Sequence, residues 1–489
     1  MLRLLALWLM LACGMAGVQA QISDLPPHQL SKDSIMLHLA TLCSKDMAGR
    51  GTGHEGYDRA ADFIASRLLN VGLEPFYNDG RPDNPFLLNV PYRGERLVSA
   101  SFGFGKKSLK FGEDFLTGTG VATNSYQIEE VVFVGFGQEY DHYNDLGKVD
   151  LSGKWVVALP GWIDDEARYT TTRKVREQYE ALVRKGVAGV ILVDPDYKKN
   201  SKRMFARLTS ERISLNDAGR KMLEKPQSTP LIILSPKAGK QLFKALKIRS
   251  KAEIRKRAKG REVKPVTRKL SLSVSFEVDH RDFSAPNVAA FLRGNEFPEE
   301  FVVLSAHLDH LGIHDGQVYY GADDNGSGST ALLSIAQQWA EWQHMGFQPR
   351  RSVLFVWFSG EENGLLGSRF FTDNLPGGIQ SDLIIANLNT DMVGRHDDRH
   401  GSKDRYIYVI GADRISSQLH ELQEAVNERC CQMTLDYTYN DPKDPNQYYR
   451  RSDHYNFVKL GVPSIFYFSG MHADYHKPTD TIEKIDFDR

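Results

Sequence analysis

At 489 residues the chain is long enough for two or three domains with sizeable hydrophobic cores. Its 61 Lys and Arg nearly cancel its 62 Asp and Glu, so a formal charge of -1 offers no global attraction to nucleic acid or to an anionic membrane. Recognition must come from a local site.

Residues 1–20 have the pattern of a secretory signal: Arg3 supplies the charge, Leu4 to Met15 the apolar segment, and Val18-Gln19-Ala20 a small-residue cleavage site. This predicts an exported, periplasmic or secreted chain whose mature form starts near Gln21. The segment is too short for a membrane anchor, so stable membrane insertion is not expected. Cys13 would offer a lipid-anchored alternative, but Met10-Leu11-Ala12 is a poor match to such a site. Cys43, Cys430 and Cys431 then remain, an odd number that does not make a disulfide framework, and no spacing suggests a thiolate metal site.

From Ser31 to Leu73 the apolar spacing predicts two helices around the turn GRGTGHEG, the first carrying Ile35, Leu39 and Leu42, the second Ala60, Phe63, Ile64 and Leu68. From about Val121 short β-rich runs take over: Val131–Val134, Trp155–Leu159, Val190–Val193 and Leu231–Leu234, with a helix near Glu177–Lys185. Residues 121–264 hold no cluster of His, Asp and Glu like the later ones and are expected to form an inserted, smaller, non-catalytic α/β domain. A basic tract from Lys247 to Lys269 closes it; without aromatic stacking residues it is read as a solvated helix and linker, not a nucleic-acid surface.

After Leu270 the pattern becomes α/β alternation. Strands are predicted at Asn287–Leu292, Phe301–Ala306, Ser352–Phe358, Leu383–Asn389, Tyr406–Ile410 and Ser464–Phe468. Helices fit Ser329–Trp342, Leu365–Asn374 and Ile415–Arg429. The expected fold is α/β, a mostly parallel, mixed central sheet sandwiched by helices. Residues 21–120 and 265–489 would together make the catalytic domain around the insert.

Ligand-type residues gather at strand ends in this half: His307 and Asp309 in AHLDHLG, Asp323 and Asp324 in GADDNGSG, Glu361 and Glu362 in GEENGLLGS, Asp391 in NTDMVG, and His476 in YHKPTD. Singly each is a cap or a surface residue. Together, each beyond an apolar run, they point to one edge of one sheet. Nitrogen and carboxylate oxygen without thiolate suit zinc, with manganese or cobalt as substitutes. The donors exceed what one tetrahedral ion takes, which favours a pair of ions sharing a carboxylate. Asp309, two residues beyond His307, could accept the other imidazole N–H. Successive side chains diverge, so one of Glu361 and Glu362 can bind metal while its neighbour acts as base.

With RSDHYNF, these motifs resemble those of metallopeptidase family twenty-eight, which includes bacterial leucyl-type aminopeptidases and glutamate carboxypeptidase, over about Ser31–Gly120 and Leu270–Arg489. The insert resembles a protease-associated domain through EVVFVGFG, DLSGKWVVALPG and KGVAGVILVD. The resemblance implies two zinc ions, His307 and Asp391 on one, Glu362 and His476 on the other, and Asp324 bridging, its bond to Asn325 often being cis in the family. It also implies Glu361 as general base, and Tyr475 and Arg451 as groups that steady the oxyanion or a substrate terminus. The implied activity is aminopeptidase action on peptide substrates.

Rival motifs fail. His420-Glu421 begins an HExxH pattern but Glu424 stands where its second histidine belongs, and neither a G-x-S-x-G elbow nor a P-loop occurs. The sequon Asn325-Gly326-Ser327 lies inside the metal loop, where a glycan would obstruct it. A glutaminyl cyclase on the same fold would dispense with the full ligand set, and a receptor-like binding protein would be expected to lose ligands or the base. A carboxypeptidase or dipeptidase would share the same metal site, with Arg451 on the substrate carboxylate.

Overall fold

The computed structural model describes residues 31–77, 80–140, 143–146, 149–159, 171–216, 229–250, 252–253 and 263–488. The leader-like residues 1–20 and the middle of the basic tract lie outside them. The chain divides into two units, one drawn from Met1–Tyr92, Ser214–Asn216 and Asp282–Arg489, the other from Arg93–Ile213 and Asp217–Arg281. No helix among the described residues is long and apolar enough to cross a membrane.

In the first unit the strands run Thr434–Asp436, Tyr406–Ile410, Ser464–Phe468, Ile384–Thr390, Phe297–His307 and Arg351–Phe358 in spatial order, followed by the end of Val266–Leu292. Phe297–His307 is parallel to both neighbours, and Ile384–Thr390 is parallel to Ser464–Phe468. Tyr406–Ile410 against Ser464–Phe468, and Val288–Leu292 against Val353–Trp357, are antiparallel. This is the mixed, mostly parallel sheet the sequence predicts. Its central strands read as continuous apolar runs because helices cover both faces, and Val353 to Phe358 are buried without a break.

The predicted helices appear at Lys32–Leu42, Glu55–Asn70, Gly328–His344 and Leu366–Asp373. Ser31 caps the first by accepting the N–H of Ser34. The last predicted helix, Ile415–Arg429, appears as Ser417–Val426, capped by the Ser416 side chain and preceded by the short helix Ala412–Ile415. Gly328–His344 is buried along most of its length, including Trp339 and Trp342, as expected of a helix lying on the sheet under other elements.

The second unit has its own core. Asn124–Phe133, Trp155–Val157, Gly189–Val193 and Leu231–Leu234 pair in parallel in that order, and Phe115–Thr117 closes one edge antiparallel. Thr171–Val183, Tyr197–Thr209 and Pro236–Ala245 are its helices. Val266–Lys269, read from sequence as the tail of a linker, opens the long strand Val266–Leu292 and pairs antiparallel with Glu130–Phe133. Its alternating exposure explains the misreading: charged residues on the outer face masked a period of two.

Candidate active site

Parallel pairing puts three carboxyl-terminal strand ends side by side, since His307 is in register with Phe358 and Ser305 with Asn389. The chain beyond those ends carries the donors. Asp391 immediately follows Thr390, Glu361 and Glu362 follow Ser359 and Gly360, and the loop after Ser464–Phe468 brings His476. Gly360 has φ of +66°, and a Cβ there would come 2.8 Å from the Tyr92 hydroxyl, so the turn that redirects the chain into the glutamates requires glycine.

The five residues that the resemblance implies as ligands come together. His307 Nε2 lies 3.3 Å from Asp391 Oδ1 and 3.5 Å from Asp324 Oδ1. His476 Nε2 lies 3.1 Å from both Asp324 Oδ2 and Glu362 Oε2. Asp324 thus has one oxygen toward each histidine. His307, Asp324 and Asp391 are buried, yet His307 Nε2, Asp324 Oδ2 and His476 Nε2 have no hydrogen bond of proper geometry. Buried polar atoms left this way are costly unless something else satisfies them. Two groups of donors, His307 with Glu361 and Asp391, and His310 with Asp324 and Glu362, are each close enough to surround a cation. The donor set fits zinc.

The field of these acids is strong. Burial lowers the His476 imidazole, but Asp324 and Glu362 overcome it and push the group up to about 10, so positive charge is favoured at that point. Burial, with Asp391 and Glu362 nearby, raises the Glu361 carboxyl well above the usual range despite His307. Its Oε2 stands 3.9 Å from His307 Nε2.

Asp324 sits in Ala322–Ser327, ahead of the helix Gly328–His344, and its peptide bond to Asn325 is cis. Asn325 is fully buried. Its amide donates to Thr390 O, and its oxygen accepts the N–H groups of Gly328 and Met392. Asp323 turns the other way, accepting the Gly394 N–H at 2.7 Å and meeting His472 Nε2 at 3.2 Å. Gly321, φ +55°, closes the loop, and a Cβ there would lie 2.2 Å from the Asp324 carbonyl oxygen and 2.5 Å from the His310 ring.

Asp309 is buried beside the site, but its carboxylate is not the partner of the imidazole. His307 Nδ1 meets the Asp309 backbone carbonyl at 3.1 Å, while the carboxylate stands 3.9 Å away. Asp309 Oδ1 instead accepts the Glu361 N–H at 3.0 Å and Oδ2 accepts the Thr52 hydroxyl at 2.9 Å, which anchors the glutamate turn. Burial raises this carboxyl to about 6, with His307 opposing. Tyr475 stacks on His476 with ring centroids 3.8 Å apart, and its hydroxyl is 3.4 Å from Arg451 Nη2. A cavity beside Asp324, Glu361 and Asp391 is walled by Met392, Tyr448, Phe466, Phe468 and Met471, with Arg451 and Tyr475 also lining it.

His310 and Arg50 are among the residues of this assembly that were not singled out from sequence. His310 approaches Glu362, and Arg50 is wholly buried, donating to the carbonyls of Leu42, Leu308, Tyr320 and Gly321. His310 stood in plain view three residues beyond His307, whereas Arg50 lay in a turn that reads as ordinary.

A family model, Peptidase family M28, matches residues 287–489, and the resemblance carried by the motifs is borne out there. A probable leucine aminopeptidase of Arthroderma otae is 31% identical over 235 residues, 46% of this chain and 59% of that protein. Another, from Arthroderma benhamiae, is 30% identical over 43% of this chain and 55% of its own length. The chain thus spans little more than half the length of these relatives. Among solved structures, an aminopeptidase from Aneurinibacillus sp. strain AM-1 has a TM-score of 0.52 at 18% identity, covering 94% of this chain and 90% of that one. A zinc aminopeptidase from Bacillus subtilis has a TM-score of 0.50 at 18% identity, covering 95% and 92%. At such identity these two establish a common fold.

Proposed function

We propose that the chain is a two-zinc exopeptidase that removes N-terminal residues from peptides, with Glu361 as its general base. The observation that carries this reading is the convergence of His307, Asp324, Asp391, Glu362 and His476 with buried nitrogen and oxygen atoms that lack hydrogen bonds. In the proposed arrangement His307 and Asp391 would hold one ion, Glu362 and His476 the other, with Asp324 available to both. Zinc at these positions supplies Lewis acidity that polarises a peptide carbonyl and acidifies a water.

The chain's own groups do the rest. Glu361, raised by burial and neighbouring acids, is suited to take the proton of the attacking water and return it to the departing amine, which leaves poorly without it. Tyr475 and Arg451, which line the cavity, would steady a developing oxyanion or a substrate terminus. The carboxylates favour a substrate's free α-ammonium at the rim. The apolar wall of Met392, Phe466, Phe468 and Met471 suits an apolar side chain on the terminal residue. The insert at residues 121–264 is proposed to be a protease-associated domain, and the leader-like residues 1–20 support export.

A panel of short peptides with free and N-acetylated termini, assayed with zinc removed by chelation and then restored, tests the reading. Turnover of free-amino peptides that vanishes without zinc and returns with it is expected. Turnover of the blocked peptides alone would replace aminopeptidase by carboxypeptidase or dipeptidase action with Arg451 on the carboxylate. No bound zinc and no hydrolysis would favour a receptor-like binding protein.

A further inference from the structure

Glu361 and Glu362 are adjacent carboxylates at one strand end, and what separates their roles is a third side chain. His310 is buried at the second donor group, with Nδ1 2.9 Å from Glu362 Oε1 and 3.8 Å from Asp324 Oδ2. An ionised carboxylate only accepts, so read as a hydrogen bond this contact puts the proton on Nδ1, which makes His310 a partner of Glu362 rather than a donor to the cation. Oε1 of Glu362 is then occupied, and Oε2 is the oxygen that faces His476 at 3.1 Å. Glu361 instead faces His307.

The backbone that carries the ring is anchored. The His310 backbone N–H donates to the Arg50 carbonyl at 3.1 Å, and the Arg50 guanidinium in turn donates to the carbonyls of Leu308 and Gly321. Gly321 leaves room for the imidazole where any Cβ would strike it. His476 meets the ring edge-on, with centroids 5.8 Å apart. Of the two ring nitrogens, Nδ1 is the one that meets a carboxylate, while Nε2 has no hydrogen-bond partner.

We propose that His310 is a positioning residue for the second cation position: its Nδ1–H holds Glu362 Oε1 so that Oε2 alone is presented beside His476. The inference rests on the two-zinc reading and deepens it by assigning one of the two positions its own support. Glu362 left to rotate would present either oxygen or both, and partners of this kind typically contribute about 10–100-fold in metal affinity.

The test is zinc titration of the chelator-stripped full chain against a chromophoric competitor, for the wild type, His310→Ala and His310→Asn. Asparagine can place an amide N–H near the position of Nδ1. The expected result is two ions on the wild type, the second ion bound about 10–100-fold more weakly by His310→Ala with the first unchanged, and affinity largely recovered in His310→Asn. A purely structural role would weaken both ions together. Unchanged second-ion affinity in His310→Ala, equal weakening of both ions, or an asparagine variant no better than alanine would overturn the inference while leaving the two-zinc reading in place. Wild-type protein taking up fewer than two ions would instead overturn the two-zinc reading, and this inference with it.

Discussion

The carboxylate of Asp480 accepts the backbone N–H of Asp324 at 3.2 Å and that of Asp323 at 3.0 Å, and it lies four residues beyond His476. One buried acid thus ties the loop carrying His476 to the loop carrying Asp324. Removing it leaves two buried donors without their charged acceptor, each such bond contributing about 1.5–3 kcal/mol. Asp480→Ala should lower unfolding free energy by at least about 2 kcal/mol. Urea denaturation of the zinc-free protein checks this; a loss under about 0.5 kcal/mol would mean the two N–H groups find other acceptors.

Glu361→Gln should keep its shape and its metal while losing most turnover. Removing a general base costs about 10²–10⁴ in rate. Single-turnover hydrolysis beside a zinc count separates this from loss of metal. Wild-type activity in the glutamine variant would remove Glu361 from the proton path.

Met471 lines the cavity beside the ligands and is only partly buried, so it can be changed with little harm to the core. Met471→Asp should reduce kcat/KM for peptides with a leucine or phenylalanine terminus by about tenfold or more, with a smaller effect on a lysine terminus. Equal losses for every terminus would argue that this wall does not contact the terminal side chain.

His454 is fully buried, and burial pulls its imidazole down to about 3 from an ordinary 6.5. A histidine depressed on folding contributes stability that is present above 6.5 and is lost as pH falls from there toward 3. In that window the group should remove about 1.4 kcal/mol per pH unit. Urea midpoints at pH 7, 5.5 and 4.5 for wild type and His454→Leu test it, and the variant should show the shallower decline. Identical slopes would rule out His454 as the proton-binding group.

The sheet was legible because its strands are buried on both faces and therefore uniformly apolar; Ser352–Phe358 and Ser464–Phe468 announce themselves. Leu87–Phe104 and the part of Val266–Leu292 before the predicted Asn287–Leu292 did not, since both alternate with exposed polar residues over long stretches. Arg50 was equally hidden. Its role depends on carbonyls of Leu308, Tyr320 and Gly321, more than 250 residues away in sequence, and a lone arginine in a glycine-rich turn carries no local sign of that.

By itself the sequence determined the class of sheet and the stock of histidines and carboxylates at its strand ends, because apolar runs and turn residues are local properties. Tertiary structure decided how neighbours differ. Asp324 rather than Asp323 faces the two histidines because Gly394 and His472 draw Asp323 away. Asp309 turns its carboxylate to the Glu361 N–H and Thr52 while its backbone carbonyl meets His307. Glu362 meets His310 where Glu361 meets His307. Adjacent side chains leave the backbone in different directions, and the partners that fix each direction come from elements that only folding brings near.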